Sequence, residues 1–171
     1  IDSPPGGTSN DKPSPESFPT REWNKILDVN LTGSLVPSQV FGAEMANKKY
    51  GSIINISSIY GLLSPDNRIY EYKNTEDSIN KFYKPIAYSV SKSGIYNMTR
   101  YFATHWGDKN VRVNTVTLCG IFNNQDKVFL KNFTNKIPMQ RMAECHEAVN
   151  PVIFLASDEA SFMTGSDVVV D

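Results

Sequence analysis

Cysteine and histidine are scarce, with two of each in 171 residues. Cys119 and Cys145 cannot by themselves build a disulfide framework or a structural zinc site. Neither His105 nor His146 has a metal-ligating partner at usable spacing, so both read as surface or packing residues and no metal is expected. With so little cysteine, the expected setting is a reducing cytoplasm. Neither sign of charge dominates: 17 basic side chains stand against 18 acidic ones, which gives no electrostatic footprint for nucleic acid or an anionic membrane. Apolar runs of the about 20 residues needed to span a bilayer are missing, and no basic-then-apolar leader opens the sequence. The remaining composition, 40% hydrophobic and 20% charged, can bury a core and is too apolar for a disordered chain.

Half of the ten prolines fall in the first 20 residues, so residues 1–19 read as a loop. Thr20 is the expected cap of a helix running to about Ala46, with Glu22 near its positive end and Trp23, Ile26, Leu27 and Leu31 at helical spacing. GSIINISS, residues 51–58, is a short β-branched block, as expected of a strand buried on both faces. A long helical pattern runs from Ala87 to Trp106, and VRVNTVT, residues 111–117, reads as the next strand. Two further helices are expected, a weak one at Gln125–Asn135 and a stronger one at Glu144–Ala156, interrupted or kinked at Pro151. The closing DVVVD is a third strand of the buried type. Helices alternating with apolar strands give an α/β chain with a parallel sheet, and its layout resembles the later part of a larger unit.

Several polar residues stand where apolar ones are due. Tyr88, Lys92, Ile95, Thr99, Phe102 and Trp106 share one helical stripe, which is core-like except for its first two members. A half-buried tyrosine and a snorkelling lysine would explain that pair. If both face one pocket, the ammonium instead stabilises the phenolate and lowers its pKa from about 10, which makes the tyrosine a usable acid/base. Ser57 and Ser58 end a strand at the side where open parallel sheets bind ligands. They either cap the next segment of chain or donate to a developing oxyanion. Asn30, on the face of Ile26 and Leu27, needs hydrogen-bond partners if buried.

In this order, these motifs resemble the short-chain dehydrogenase/reductase family from Trp23 to Asp171. The match runs through WNKILDVNLTG with Asn30, GSIINISS with Ser58, YSVSK with Tyr88 and Lys92, VRVNTV, and FLASDEASFMTGSDVVVD. The resemblance implies a Rossmann-type doubly wound parallel sheet and hydride transfer between NAD or NADP and a carbonyl or alcohol. It makes Tyr88 the acid/base, and Lys92 its pKa-lowering neighbour and ribose ligand. Ser58 orients the substrate oxygen, and Asn30 holds a water of the proton relay. Leu118, Gly120 and Ile121, with Tyr88 and Lys92, fall at positions that bind the cofactor. The resemblance also implies a homodimer or homotetramer joined through the helices at 20–46 and 87–107.

Three departures from the family pattern shape the expectations. The glycine-rich turn T-G-x-x-x-G-x-G and the N-N-A-G strand end are absent. Residues 1–171 are therefore expected to be a single partial domain, with 20–171 its catalytic and substrate-binding portion and the N-terminal βαβ nucleotide-binding part outside it. Leu118 and Cys119 replace the usual Pro and Gly after the VRVNTV strand. Cys119 has no evident activating base, so a buried thiol is expected rather than a nucleophile. Ser58 and Tyr88 are 30 positions apart. The extra material, Pro65–Pro85, carries Arg68, Tyr70, Tyr72, Lys73, Phe82, Tyr83 and Lys84 and reads equally as a surface excursion or a substrate wall. It resembles dehydrogenases associated with bacterial surface-sugar or flagellin modification, which implies a sugar-like substrate. Phe122–Met139 matches the family's substrate loop, with Phe129 and Phe133 on one face. The expected activity is an NAD(P)-dependent oxidoreductase. The alternatives are a catalytically degenerate binding or assembly protein and a nucleotide-sugar epimerase or dehydratase of the extended branch.

Overall fold

The computed structural model describes residues 14–73 and 82–171. Most of the expected N-terminal loop, and residues 74–81 of the insert, lie outside these; within that loop, Pro15–Ser17 makes one 3-10 turn. Three parallel strands form the sheet: β1 (Gly51–Ser58), β2 (Val111–Leu118) and β3 (Asp167–Val170), in the order β1-β2-β3. Gly51 stands opposite Val111 and Ser58 opposite Leu118, so the two long strands end level. Thr115 pairs with Asp167 on the other side of β2. The helices are α1 (Thr20–Leu27), α2 (Gly33–Lys48), α3 (Ile59–Leu62), α4 (Ile86–Trp106), α5 (Lys127–Thr134) and α6 (Cys145–Ala156). A 3-10 segment, Asn67–Lys73, stands between α3 and α4.

β2 is the buried strand, and its alternate residues serve two cores. Val111 and Val113 pack with Phe102, Ala103 and Trp106 of α4 and Ala46 of α2. Val116, on the opposite face, packs with Leu155 of α6 and with Ala160. The α2–α4 contact is close at Gly42, where an added Cβ would lie 2.1 Å from the Trp106 ring. A third cluster, Ile69, Tyr70, Phe133 and Met142, joins the 3-10 segment to α5.

Five expectations need correction. β3 is not of the buried type, since Val169 is exposed and its other residues are half-buried. The helix from Thr20 is not continuous: five residues, Asp28–Thr32, form a π-helical turn between α1 and α2. Thr20 opens the helix instead of capping it, because the Pro19 carbonyl accepts from the Glu22 and Trp23 amides. β1 is not buried throughout, since Ile56 is exposed and the first four residues are half-buried. It lies at the sheet's edge, and α6 meets it near Ser52, whose hydroxyl donates to the Leu155 carbonyl. Finally, α6 runs through Pro151 without interruption. A capping box holds its start, with Glu144 and Glu147 exchanging side-chain and backbone hydrogen bonds.

Candidate active site

β1 delivers two serines to its carboxyl end, and their hydroxyls point to different tasks. Ser57 Oγ donates to the Lys92 carbonyl at 2.8 Å, latching the strand to α4. Ser58 Oγ accepts from the Tyr60 amide at 3.2 Å and so caps α3. Because Ser58 only accepts in that bond, its own proton remains available for a ligand oxygen. Close packing then brings α3 onto α4. A Cβ on Gly61 would lie 2.7 Å from the backbone carbon of Lys92, so this approach needs a residue without one.

Tyr88 lies in the first turn of α4 and is half-buried. Tyr88 and Ser58 line one cavity of about 600 Å³. Asn30 and Lys92 line a neighbouring hollow of about 480 Å³ along the outer edge of β1. The Lys92 ammonium donates to the Ile56 carbonyl at 3.0 Å, and burial lowers its pKa below the ordinary lysine value. The π-turn carries Asn30 into the interior, where its amide donates to Ser91 Oγ at 3.0 Å. Ser91 Oγ in turn donates to the Tyr88 carbonyl at 2.7 Å. The four residues thus form two pairs on adjacent hollows, tied through the backbone of α4.

Aromatic rings wall the Ser58–Tyr88 cavity. Tyr70 and Phe129 stack with centroids 5.6 Å apart, and Phe129 and Phe133 at 5.3 Å. From the insert, Tyr70, Tyr72, Lys73, Phe82 and Lys84 reach this cavity. Arg68 does not: its guanidinium pairs with Asp66 at 2.8 Å and its side chain is mostly exposed. Tyr83 is also absent from the lining. On the opposite wall, Asp126 caps α5 by accepting from the Val128 and Phe129 amides. The insert is therefore part of the cavity and not only a surface excursion.

At the end of β2, Cys119, Gly120 and Ile121 line the same cavity. Leu118 packs with the Val116 and Leu155 cluster. A Cβ on Gly120 would meet Met142 and Phe133 at 2.4 and 2.5 Å, so side-chain packing already requires glycine there. Burial, and then a hydrogen bond to Asp171, push the Cys119 thiol up to about 12. A thiol so protonated is not a nucleophile, but Cys119 is half-buried on the cavity wall and not the fully buried thiol expected. His105 and His146 are both exposed, and His105 stacks on Tyr101.

Two features have no counterpart among the sequence expectations. Tyr60 lines the cavity, and burial raises its phenol above the ordinary tyrosine value against an opposing hydrogen bond from Tyr70. Tyr96 is buried one turn beyond Lys92, and its hydroxyl donates to the Ser58 carbonyl at 3.0 Å. The same hydroxyl meets Thr117 Oγ1 at 2.9 Å, which donates to Asp167 at 2.6 Å. This chain of bonds fixes the backbone of Ser58 to β2 and β3. A polar residue on a buried stripe was the available signal for Tyr96.

The donors near Lys92 bear on whether a nicotinamide cofactor fits. An ammonium has three donors, and Lys92 gives one of them to Ile56, leaving capacity for the hydroxyls of a ribose in the adjoining hollow. The donor set therefore fits such a group on its nicotinamide side.

Residues 72–171 match the family model described as enoyl-(acyl carrier protein) reductase. The chain is 32% identical over 169 residues to a post-translational flagellin modification protein A from Campylobacter coli, covering 91% of this chain and 63% of that protein. It is also 32% identical over 158 residues to a galactitol 2-dehydrogenase from Rhizobium johnstonii, covering 88% and 55%. A short-chain dehydrogenase from Leptospira borgpetersenii, solved with bound NAD+, superposes with a TM-score of 0.80 at 33% identity, over 91% of this chain and 57% of that one. The chain thus spans a little over half the length of the relatives it matches. These relatives lend no support to the binding-module or epimerase alternatives. With the parallel sheet of a partial Rossmann domain, they show that the chain belongs to the short-chain dehydrogenase/reductase family.

Proposed function

We propose that the chain is the catalytic portion of an NAD(P)-dependent oxidoreductase acting on a hydroxyl or carbonyl carbon of a polyhydroxylated small molecule. The observation that carries this reading is the convergence of Ser58 and Tyr88 on one aromatic-walled cavity, with Lys92 one helical turn from Tyr88. The names of the relatives, among them galactitol 2-dehydrogenase, support a sugar-alcohol type of substrate. When bound, NAD or NADP supplies or accepts the hydride.

Each residue has a defined task in this proposal. Tyr88 moves the proton to or from the substrate oxygen. Ser58, whose hydroxyl hydrogen is not used in capping α3, donates to that oxygen and holds it facing Tyr88. Lys92 holds the nicotinamide ribose through the donors that Ile56 does not take. It lines the hollow next to the Tyr88 cavity, so its charge would favour the Tyr88 phenolate from one helical turn away and not from within one shared pocket. Asn30 steadies α4 through Ser91 and holds the water of the proton relay. Leu118, Gly120 and Ile121 meet the cofactor at the end of β2, Leu118 through its backbone. The protein is proposed to work in the cytoplasm as a homodimer or homotetramer, with a small molecule as partner and neither nucleic acid nor membrane. None of the described helices is long and apolar enough to cross a membrane.

The test is Tyr88→Phe in the full-length natural protein. It removes the ionisable hydroxyl and should lower turnover by at least about 100-fold, the scale of a lost acid/base group. Nicotinamide absorbance reports turnover, and circular dichroism should stay that of the parent. Turnover equal to the parent, or no cofactor binding at millimolar nicotinamide, would overturn the reading.

A further inference from the structure

Tyr96 is buried, hydrogen-bonded to the backbone of Ser58, and used by no step of the proposed reaction. On α4 it completes a column, since Tyr88, Lys92 and Tyr96 stand one turn apart along one stripe. Each of the last two holds the end of β1. The Lys92 carbonyl accepts from Ser57 Oγ at 2.8 Å, and one turn on the Tyr96 hydroxyl donates to the Ser58 carbonyl at 3.0 Å. Consecutive residues of β1 are thus latched to consecutive turns of the helix whose first turn bears Tyr88.

Ser58 needs such an anchor. It is the last residue of its strand, and α3, the helix it caps, has only four residues, too few to be stable alone. Tyr96 grips that short helix at both ends. Its hydroxyl is on Ser58, and its ring lies against Gly61, where an added Cβ would stand 2.9 Å from Cε2. The hydroxyl is oriented from its far side. Thr117, fully buried on β2, gives its one hydrogen to Asp167 Oδ1 at 2.6 Å. Across its 2.9 Å contact with Tyr96 it can then only accept. Tyr96 is therefore the donor toward both neighbours, and phenylalanine in its place leaves the Ser58 carbonyl without this bond.

We propose that Tyr96 is a positioning residue: it sets where the Ser58 hydroxyl points relative to Tyr88, and so governs the step in which the two share the substrate oxygen. α4 is their common ruler, with the acid/base on its first turn and the anchor of the serine two turns farther on. The role rests on the oxidoreductase reading for the reaction itself. It goes beyond that reading in naming what holds the two groups in register. A misplacement of about 1 Å can cost on the order of 100-fold in rate, so an anchor away from the substrate has leverage.

The experiment compares Tyr96→Phe, Ser58→Ala and the double variant in the full-length protein, with galactitol, the polyol named for one relative, and NAD+ as probes. Tyr96→Phe should lower kcat about ten-fold, part of the loss of a whole donor, and change the cofactor KM by less than about two-fold. In the Ser58→Ala background the same substitution should cost less than about two-fold, because the group it positions is gone. A merely structural tyrosine would cost the same in both backgrounds. Hydrogen-exchange mass spectrometry reads the positioning without turnover. In Tyr96→Phe, amides of residues 57–62 should exchange about ten-fold faster, the scale of one lost buried hydrogen bond, while α4 keeps the parent's rates. An undiminished loss in the Ser58→Ala background, an unchanged kcat, or unchanged exchange at 57–62 would overturn the proposal. Tyr88→Phe, assayed alongside, lets the two readings fail separately. Retained turnover in that variant removes the acid/base reading, whereas exchange at 57–62 still decides whether Tyr96 holds Ser58.

Discussion

Adjacent serines at the end of β1 are chemically identical and structurally unlike. Ser57 directs its proton to the Lys92 carbonyl, whereas Ser58 accepts from Tyr60 and keeps its proton. The family pattern favours the second serine, and the geometry supplies a physical reason for that preference. The bond that commits Ser57 joins residues 35 positions apart, so no local pattern could reveal it. The Tyr96–Thr117–Asp167 chain was hidden for the same reason, since it joins α4, β2 and β3. Cys119 was legible in part: its lack of an activating base pointed to an inert thiol, and burial with the Asp171 hydrogen bond accounts for it. With the thiol held at about 12, only about one molecule in ten thousand is thiolate at pH 8. Iodoacetamide at that pH should therefore modify the exposed Cys145 in the native protein and spare Cys119 until denaturant is added. Peptide mass spectrometry after timed quenching measures both sites, and comparable rates would contradict the assigned environment.

Among the elements, strands and helices were largely readable because their periods differ, as β2 and α4 illustrate. The π-turn at Asp28–Thr32 was not, since one extra residue in a turn leaves the surrounding helical spacing almost unchanged. Its trace in the sequence was Asn30, a polar residue on an apolar face, and the turn brings that amide to Ser91. The interruption expected at Pro151 is absent, because α6 continues through it with Leu155 buried against the sheet. The α3–α4 junction has the narrowest tolerance. Gly61 faces the Lys92 backbone, which cannot rotate away as a side chain could. Gly61→Ala should cost about 1–3 kcal/mol, the range for an overpacked contact, despite the better helix propensity of alanine. Urea denaturation of the two proteins reads that difference. A gain in stability would mean that α3 stands farther from α4 than 2.7 Å allows.

For the whole molecule, sites and surfaces divide by face. The carboxyl end of the sheet carries the cavity, while the helices α2 and α4, which meet at Gly42 and Trp106, present their outer sides to solvent. Those outer sides are unusually apolar: Val36 and Val40 on α2 are 49% and 57% exposed, and Tyr101 on α4 is 69% exposed. Val36 and Val40 are one turn apart and so share a stripe. Single exposed valines need no explanation, but an exposed apolar stripe on α2 and an exposed tyrosine on α4 are of the composition that the proposed subunit contact would use. The proposed homo-oligomer would cover these helices, and a stable interface buries about 1,200–2,000 Å² in total. Two carboxylates placed in such a contact meet their own copies across a symmetry axis, which costs like-charge repulsion and desolvation. Val40→Asp combined with Tyr101→Asp should therefore shift the full-length protein toward monomer in sedimentation velocity. Both positions face solvent in the single chain, so its circular dichroism should be unaltered. An unchanged sedimentation coefficient would place the subunit contact elsewhere on the molecule.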